Sequence, residues 1–190
     1  MELNDQCKEI ILGSLLGDGS LKMKLRYQSL TKDSLTKLYH LVYSEGNLCI
    51  RHKWLKLLTP LSLVVWWLDD GSLVTNSRKG VFCTEGFNYR DLLILSRYLK
   101  NRWRINSRIG RRGNYYQLRI YSTEELKKFL RIILPHIPVA SMLPKVILLY
   151  KDQNLQQRWI FEVCKLSQFS RQIVEKYLAE KKKKWKNFKE

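Results

Sequence analysis

Two similar stretches carry the strongest structural signal in this 190-residue chain: IILGSLLGDGS at residues 10–20 and LSLVVWWLDDGS at residues 61–72. Each is an apolar helix candidate that ends in an aspartate, Asp18 or Asp70, followed by a glycine that lets the chain turn into a strand. A carboxylate at a helix C-terminus is disfavoured by about 0.3 to 1 kcal/mol unless a cation offsets it. Two such ends placed side by side would therefore form a site for a divalent metal ion.

The sequence after the second motif predicts an α+β arrangement of helices and hairpins. Thr59 is the predicted cap of the second motif helix and Pro60 its first residue. The residues that follow predict two strands, a helix, two strands and a further helix. The hairpin turns are predicted at 76–79 and 111–113, and the helices at 88–103 and 122–135. The predicted order of this half is therefore αββαββα.

The first half begins in the same way and is shorter. Asp5 is the predicted cap of a helix over 5–16. Polar and apolar residues then alternate over 20–30, which suits short strands, and helical spacing follows over 32–44. Residues 19–60 leave room for one hairpin and one helix. We therefore predict a pseudo-symmetric α+β fold with a truncated first half.

Three parts are predicted along the chain. Residues 1–59 form the first, shortened half and residues 60–150 the second half. Residues 151–190 form a basic C-terminal extension with helices over 155–166 and 170–184. The extension ends in the lysine-rich run KKKKWKNFK, a pattern typical of a solvated face or an anion-binding segment.

The positive charge of the chain predicts a polyanionic partner. There are 35 Lys and Arg residues against 17 Asp and Glu, a formal net charge of +18. Residues 97–119 hold eight cations and no acid, interleaved with Trp103, Tyr115 and Tyr116. The residues predicted to contact nucleic acid are Arg97, Lys100, Arg102, Arg104, Arg108, Arg111, Arg112, Tyr115, Arg119, Lys181, Lys182, Lys183 and Lys184.

Several other classes of protein are disfavoured by the sequence. No apolar run reaches the roughly 18 residues of a membrane span, so we expect a soluble protein. The first ten residues, MELNDQCKEI, contain acids and no arginine, which fits neither a signal peptide nor a transit peptide. The four cysteines and three histidines lie in no metal-ligand spacing, which argues against zinc and against histidine-metal nuclease chemistry.

Three ordered motifs resemble the LAGLIDADG homing endonucleases, in their double-motif, single-chain branch. ILGSLLGDG at 11–19 is similar to the first LAGLIDADG helix, and LTPLSLVVWWLDDGS at 58–72 is similar to the second. SMLPK at 141–145 resembles a further signature in which a lysine follows a short helix start. The resemblance covers residues 8–147, and the ordered combination is far more specific than any single motif.

The resemblance implies a central pair of packed motif helices and a DNA-cleaving site at their ends. In that family the last acids of the two helices bind Mg2+ and activate water, while twisted antiparallel sheets straddle the duplex. Asp18 and Asp70 match these acids, and Lys145 matches the basic residue that stabilises charge near the scissile phosphate. The implied metal site comprises Asp18 and Asp70, with Gly17 and Asp69 beside them.

The first motif helix contains small residues, and the chain departs from the family pattern at three points. Gly13 and Gly17 would permit a close approach of the two helices. Val64 stands where the branch usually has alanine, and Pro144 stands where an aromatic residue usually precedes the lysine. The short first half leaves no matching first-half lysine.

Two functions remain open from the sequence. The first is a Mg2+-dependent endonuclease that cuts double-stranded DNA at an intron-type target. The second is a catalytically idle RNA-binding protein, such as an intron maturase or an organellar ribosome or ribonucleoprotein component, whose partner is structured RNA. Only the first requires both carboxylates and Mg2+. The resemblance also implies an organellar protein, mitochondrial or chloroplast, that is monomeric in its fold and, for the RNA-binding alternative, part of a ribonucleoprotein.

Overall fold

A computed structural model describes residues 4–17, 33–74 and 77–184. The first half contains α1 (Asp5–Ser14), α2 (Asp33–Val42), β1 (Tyr43–Ser44), β2 (Asn47–Leu48) and α3 (His52–Leu55). The second half contains α4 (Pro60–Asp70), β3 (Gly71–Val74), β4 (Lys79–Phe82), α5 (Tyr89–Trp103), β5 (Arg108–Arg112), β6 (Tyr115–Ile120) and α6 (Thr123–Ile133). The C-terminal part contains two 3-10 helices, Leu134–His136 and Ala140–Lys145, then α7 (Gln153–Leu166) and α8 (Arg171–Lys184).

The second half has the predicted αββαββα order. Its four strands form one antiparallel sheet in the order β3-β4-β6-β5. Phe82 and Leu118 are cross-strand partners on the inner face of the sheet, and the Phe82 ring meets Phe129 of α6 edge-on at 5.4 Å. Trp66 of α4 stacks on the same Phe82 ring at 3.9 Å. Aromatic packing of this kind fixes α4 and α6 against one face and leaves the alternate side chains on the other.

The start of each motif helix follows from its capping residues. Thr59 and Ser62 form a reciprocal capping box, and Pro60 is the first helical residue, as predicted. The cap of α1 is Asn4, whose side chain accepts a hydrogen bond from Cys7 N at 2.7 Å. The prediction of Asp5 as this cap is wrong by one residue, since Asp5 is the first helical residue.

The second hairpin turns later than predicted. Arg111 and Arg112 pair with Tyr116 and Tyr115, so the strands continue through the predicted turn. The chain reverses at Gly113, which has φ of 57°, a conformation that glycine adopts without steric cost. Arg111 and Arg112 are therefore strand residues rather than turn residues.

The described part of the first half is smaller than the second half. Residues 18–32 lie outside the described residues, so the strands predicted there and the extent of the truncation remain predictions. The irregular segment predicted after residue 44 contains a short hairpin and α3. Trp54 and Leu55 of α3 are fully buried in the core, which explains why this segment is structured.

The C-terminal extension forms the two predicted helices, α7 and α8, with one unpredicted feature. Lys181 of α8 is buried, and its ammonium group donates to the carbonyl oxygens of Pro144 and Ile147, each at 2.6 Å. Burial lowers the pKa of Lys181 to about 7. The structure therefore does not place Lys181 on the predicted nucleic-acid surface. Among the described residues, no helix is long and apolar enough to cross a membrane.

Candidate metal and nucleic-acid site

The two motif helices, α1 and α4, pack directly against each other. Ser62 Oγ of α4 donates a hydrogen bond to the Glu9 carbonyl oxygen of α1 at 2.9 Å. A methyl group placed on Gly13 would lie only 2.9 Å from Ser62 Cα, so the backbones meet where α1 has no side chain. Val64, the departure from the family pattern, is buried and is accommodated in this core. The predicted close approach of the motif helices is therefore present.

This packing brings the C-terminal ends of α1 and α4 together. A methyl group placed on Gly17 would lie 3.1 Å from Asp70 Oδ2 and 3.2 Å from Asp69 Cβ. Gly17 is the residue immediately before Asp18, and Asp18 itself lies outside the described residues. The chain therefore leaves α1 directly beside the Asp70 carboxylate, while the side-chain position of Asp18 remains a prediction.

A cleft of about 200 Å3 opens beside this junction. Gly17 and Asp70 form one part of its lining, and Cys83 and Glu85 form another. Burial raises the pKa of the Cys83 thiol; the neighbouring Glu85 and Asp70 raise it further, while Arg112 and Lys145 act in the opposite direction. Glu85 is engaged by the sheet, because it accepts a hydrogen bond from Gln117 Nε2 at 2.7 Å.

Lys145 lies at the C-terminal end of α4. Its Nζ donates to the carbonyl oxygens of Leu68 at 2.5 Å and of Asp69 at 3.2 Å. These are the last carbonyl groups of a helix, where a cation is electrostatically favoured. Burial lowers the pKa of Lys145, while Asp69, Asp70 and Cys83 act in the opposite direction. Lys145 therefore supplies the local positive charge beside the carboxylate junction.

The residues at the junction suit a hard divalent cation. Magnesium prefers carboxylate oxygen ligands, often only one or two of them, and retains several waters. The Asp70 carboxylate is partly accessible at the cleft, and Asp18 is the next residue after Gly17. No cluster of three or more His, Cys, Asp or Glu side chains that could hold a metal ion occurs among the described residues, which do not include Asp18. The described residues contribute the Asp70 carboxylate to such a site, and the Asp18 carboxylate as its second ligand remains a prediction.

A second feature of the structure is the outer face of the sheet, the face opposite α6. Strand alternation and register place Lys79, Arg108, Arg112, Tyr115 and Arg119 on this face. Arg108 and Arg119 are direct cross-strand partners. Like charges in this relation destabilise a sheet unless a counter-charge lies between them. The outer face therefore carries an arrangement that an anionic ligand would stabilise.

Aromatic and amide side chains orient the cations of the outer face. Arg119 donates to Gln117 Oε1 at 3.2 Å and to the Tyr121 hydroxyl at 3.4 Å. Lys79 Nζ lies 5.7 Å from the centre of the Tyr121 ring. Tyr115 is 58% exposed beside Arg112. Lys79 and Tyr121 were missed by the sequence analysis, although strand alternation with Val81 and Arg119 is a signal that could have found them.

The structure divides the remaining predicted contacts among other surfaces. Arg97, Lys100 and Arg102 lie on α5, in the helical layer that covers the inner face of the sheet, and Arg104 follows that helix. Arg111 lies in β5 with its exposed side chain turned to the Gly113 carbonyl oxygen, to which its Nε donates at 3.0 Å. Lys182, Lys183 and Lys184 end α8, and residues 185–190 lie outside the described part of the chain.

Comparison with known proteins gives the family of this chain. Residues 21–129 match the LAGLIDADG DNA endonuclease family, which is more than half of the sequence. The chain belongs to this family. The match begins at residue 21, so it does not include α1. The contribution of α1 to the junction rests instead on its packing against α4.

The chain is also similar to individual curated proteins. The chain is 33% identical over 133 residues to the cytochrome b mRNA maturase bI2 of Saccharomyces cerevisiae, covering 65% of this chain and 30% of that protein. It is 26% identical over 190 residues to the RecA protein of Mycolicibacterium fallax, covering 71% of this chain and 45% of that protein. The chain thus spans less than half the length of either relative.

The fold is also that of a DNA-bound homing endonuclease. The structure of the homing endonuclease I-WcaI bound to its DNA recognition sequence superimposes with a TM-score of 0.68 at 17% sequence identity. The similarity covers 79% of this chain and 89% of that chain. At this identity the similarity concerns the fold, and it confirms the predicted α+β architecture.

Proposed function

We propose that this protein binds double-stranded DNA at an intron-type target and hydrolyses its phosphodiester bonds with Mg2+. The observation that carries the proposal is the contact between the two helix ends. There Gly17 lies against Asp70, and Lys145 Nζ donates hydrogen bonds to the last carbonyl groups of α4. Family membership gives this geometry a DNA-cleaving precedent. The outer face of the sheet supplies the cations that would hold the phosphate backbone.

The side chains at the junction have different proposed roles. Asp18 and Asp70 would hold the metal ion, with Gly17 and Asp69 beside them. A bound Mg2+ lowers the pKa of water and polarises phosphate oxygens. Lys145 uses two of its three N–H donors on α4, and the third can stabilise charge at a phosphate oxygen. Since the Lys145 ammonium is tied to the α4 backbone, its charge stays in place during the reaction.

A catalytically idle RNA-binding protein is the second candidate. The specific observation that favours it is the 33% identity to a yeast cytochrome b mRNA maturase. A basic sheet face with exposed Tyr115 can also contact the phosphates and bases of structured RNA, such as intron or ribosomal RNA. We propose an organellar location, mitochondrial or chloroplast, for either function. The protein would act as a monomer, or within a ribonucleoprotein if RNA is the partner.

The nature of the nucleic acid separates the two candidates at the binding step. The experiment is to purify the full chain under low salt, recover the bound nucleic acid and sequence it after separate DNase and RNase treatments. The endonuclease proposal expects a discrete duplex DNA sequence. Recovery of one structured RNA, with no preferred DNA, would overturn it in favour of the second candidate.

Charge removal on the outer face is expected to change the salt dependence of binding. Each duplex phosphate contact contributes about 0.9 to the slope of log affinity against log salt. The double variant Arg108→Gln and Arg112→Gln should therefore flatten this slope by up to about 1.8. The measurement is a fluorescence-anisotropy titration with a duplex across a series of salt concentrations.

The matched control removes the same charge from the helical layer. Arg97→Gln and Lys100→Gln lie on α5, whose packed side faces the opposite surface of the sheet. This variant should leave the slope within error of the wild type. An equal loss of slope in both double variants would show that binding is not localised to the outer face.

A further inference from the structure

Side chains hold the carbonyl groups of the backbone that carries Lys145. Residues 146–150 are buried and lie outside both helix and sheet. Trp67 Nε1 of α4 donates to the Lys145 carbonyl oxygen at 3.0 Å, and Trp159 Nε1 of α7 donates to the Val146 carbonyl oxygen at 3.2 Å. A buried carbonyl without a partner would cost about 1 to 3 kcal/mol, so this segment depends on the elements that surround it.

The C-terminal helices supply most of these partners. Gln156 of α7 donates to the Leu148 carbonyl oxygen at 3.0 Å and accepts from Tyr150 N at 2.9 Å. Lys181 of α8 donates to the carbonyl oxygens of Pro144 and Ile147, which flank Lys145 on both sides. Both helices lie outside the residues that match the family, which end at 129.

Lys181 is buried to an extent that is unusual for lysine. It is 7% exposed, and Val174 and Leu178 precede it on the same buried stripe of α8. Lysine is almost never this buried without partners that satisfy its donors. An amine that has lost its proton still has two N–H donors, one for each carbonyl, so the contact does not depend on the charge of Lys181.

We infer that Lys181 is a positioning residue for Lys145. Its two hydrogen bonds clamp the backbone on either side of Lys145, and α8 thereby fixes the distance from that backbone to the end of α4. The Lys145 ammonium then reaches the Leu68 and Asp69 carbonyl oxygens beside Asp70. The C-terminal extension therefore helps to position a residue of the site rather than serving as a nucleic-acid-binding tail. The catalytic part of this inference rests on the proposed function.

The test compares Lys181→Met with Lys183→Met in the full chain. Both remove one lysine from α8, and Lys183 is exposed. The first readout is the rate at which an amine-specific reagent modifies Lys145, followed by peptide mass spectrometry. Lys145 should react several-fold faster in Lys181→Met, because its ammonium is no longer held against α4. Lys183→Met should react at the wild-type rate.

The second readout separates positioning from general stability. A displacement of about 1 Å at a reacting group can cost roughly 100-fold in rate. The single-turnover cleavage rate at saturating duplex should therefore fall roughly 10- to 100-fold in Lys181→Met, while the dissociation constant for the duplex changes little. Lys181→Gln keeps N–H donors on a side chain that is one bond shorter, so it should lie between Lys181→Met and wild type in both readouts. If Lys181→Met does not fold, both readouts are compared between Lys181→Gln and wild type instead.

The two readouts fail for different reasons. If the wild-type protein does not cut, the proposed function is wrong, and the modification rate of Lys145 still tests the clamp. An unchanged Lys145 modification rate in a folded Lys181 variant would overturn the inference. A loss of duplex affinity that accounts for the whole loss of cleavage would also overturn it, since Lys181 would then act on binding.

Discussion

Asp70→Asn is expected to lower the rate of Mg2+-dependent cleavage of a cognate duplex by roughly 1,000-fold or more, while duplex binding stays intact or improves. A metal ligand contributes several kcal/mol of transition-state stabilisation, and each 1.36 kcal/mol is a factor of ten in rate. Binding is retained because asparagine removes a negative charge near phosphate. The measurement is single-turnover cleavage alongside an equilibrium binding titration. Asp18→Asn is expected to behave in the same way.

The control for this prediction is a carboxylate remote from the junction. Glu175→Gln on α8 removes an exposed acid that pairs with Arg171 at 2.8 Å, and it should cleave at the wild-type rate. Cleavage by Asp70→Asn at the wild-type rate would show that the Asp70 carboxylate is not a ligand of the reacting metal ion. A wild-type protein that binds without cutting, with the aspartate substitutions altering only stability, would favour the idle RNA-binding candidate.

Gly13→Leu is expected to lower the free energy of unfolding by about 1 to 3 kcal/mol, the cost typical of overpacking a core. The first carbon of any side chain at this position already lies 2.9 Å from Ser62 Cα, which is backbone and cannot rotate away. The two motif helices must therefore separate to admit the leucine. Chemical denaturation followed by far-UV circular dichroism measures the change.

Gly86→Leu provides the matched control for overpacking. Gly86 is exposed, and a methyl group placed on it would meet no atom within 4 Å. Its stability should change by less than about 0.5 kcal/mol, as surface substitutions usually do. If Gly13→Leu is as stable as Gly86→Leu, the close contact between α1 and α4 is absent.

The sequence predicted the second half of the fold well because local signals there agree with one another. Thr59, Pro60 and Ser62 mark the start of α4 through capping and proline geometry, and the aspartate and glycine mark its end. The hairpin was displaced because the prediction centred its turn on Arg111, Arg112 and Gly113, whereas the turn residues are Gly113 and Asn114, two types that favour turns.

The division of the basic stretch could be predicted only in part. Arg108 and Arg112 are four residues apart in a strand, so alternation places them on one face. Arg108 lying directly opposite Arg119 depends on the strand register, which the misplaced turn obscured. The separation of Arg97 from these residues depends on which face of the sheet α5 covers, and no local pattern specifies that.

Lys181 was predicted wrongly because it belongs to a lysine run. Such a run ordinarily indicates a solvated face, and nothing in its composition distinguishes one lysine from the next. A signal was nevertheless present, because Val174, Leu178 and Lys181 follow the helical spacing of a buried stripe. The acceptors at Pro144 and Ile147 are distant in sequence, so only the tertiary structure reveals why this stripe tolerates a lysine.

Cleavage at the junction of α1 and α4 can be observed on the natural complex. The wild-type protein, bound to the duplex recovered with it, is supplied with Mg2+, and the strands are separated on a denaturing gel. We expect both strands to be cut within the bound site, and chelation of the metal ion to leave them whole. A tightly bound duplex that stays intact in the presence of Mg2+ would contradict it.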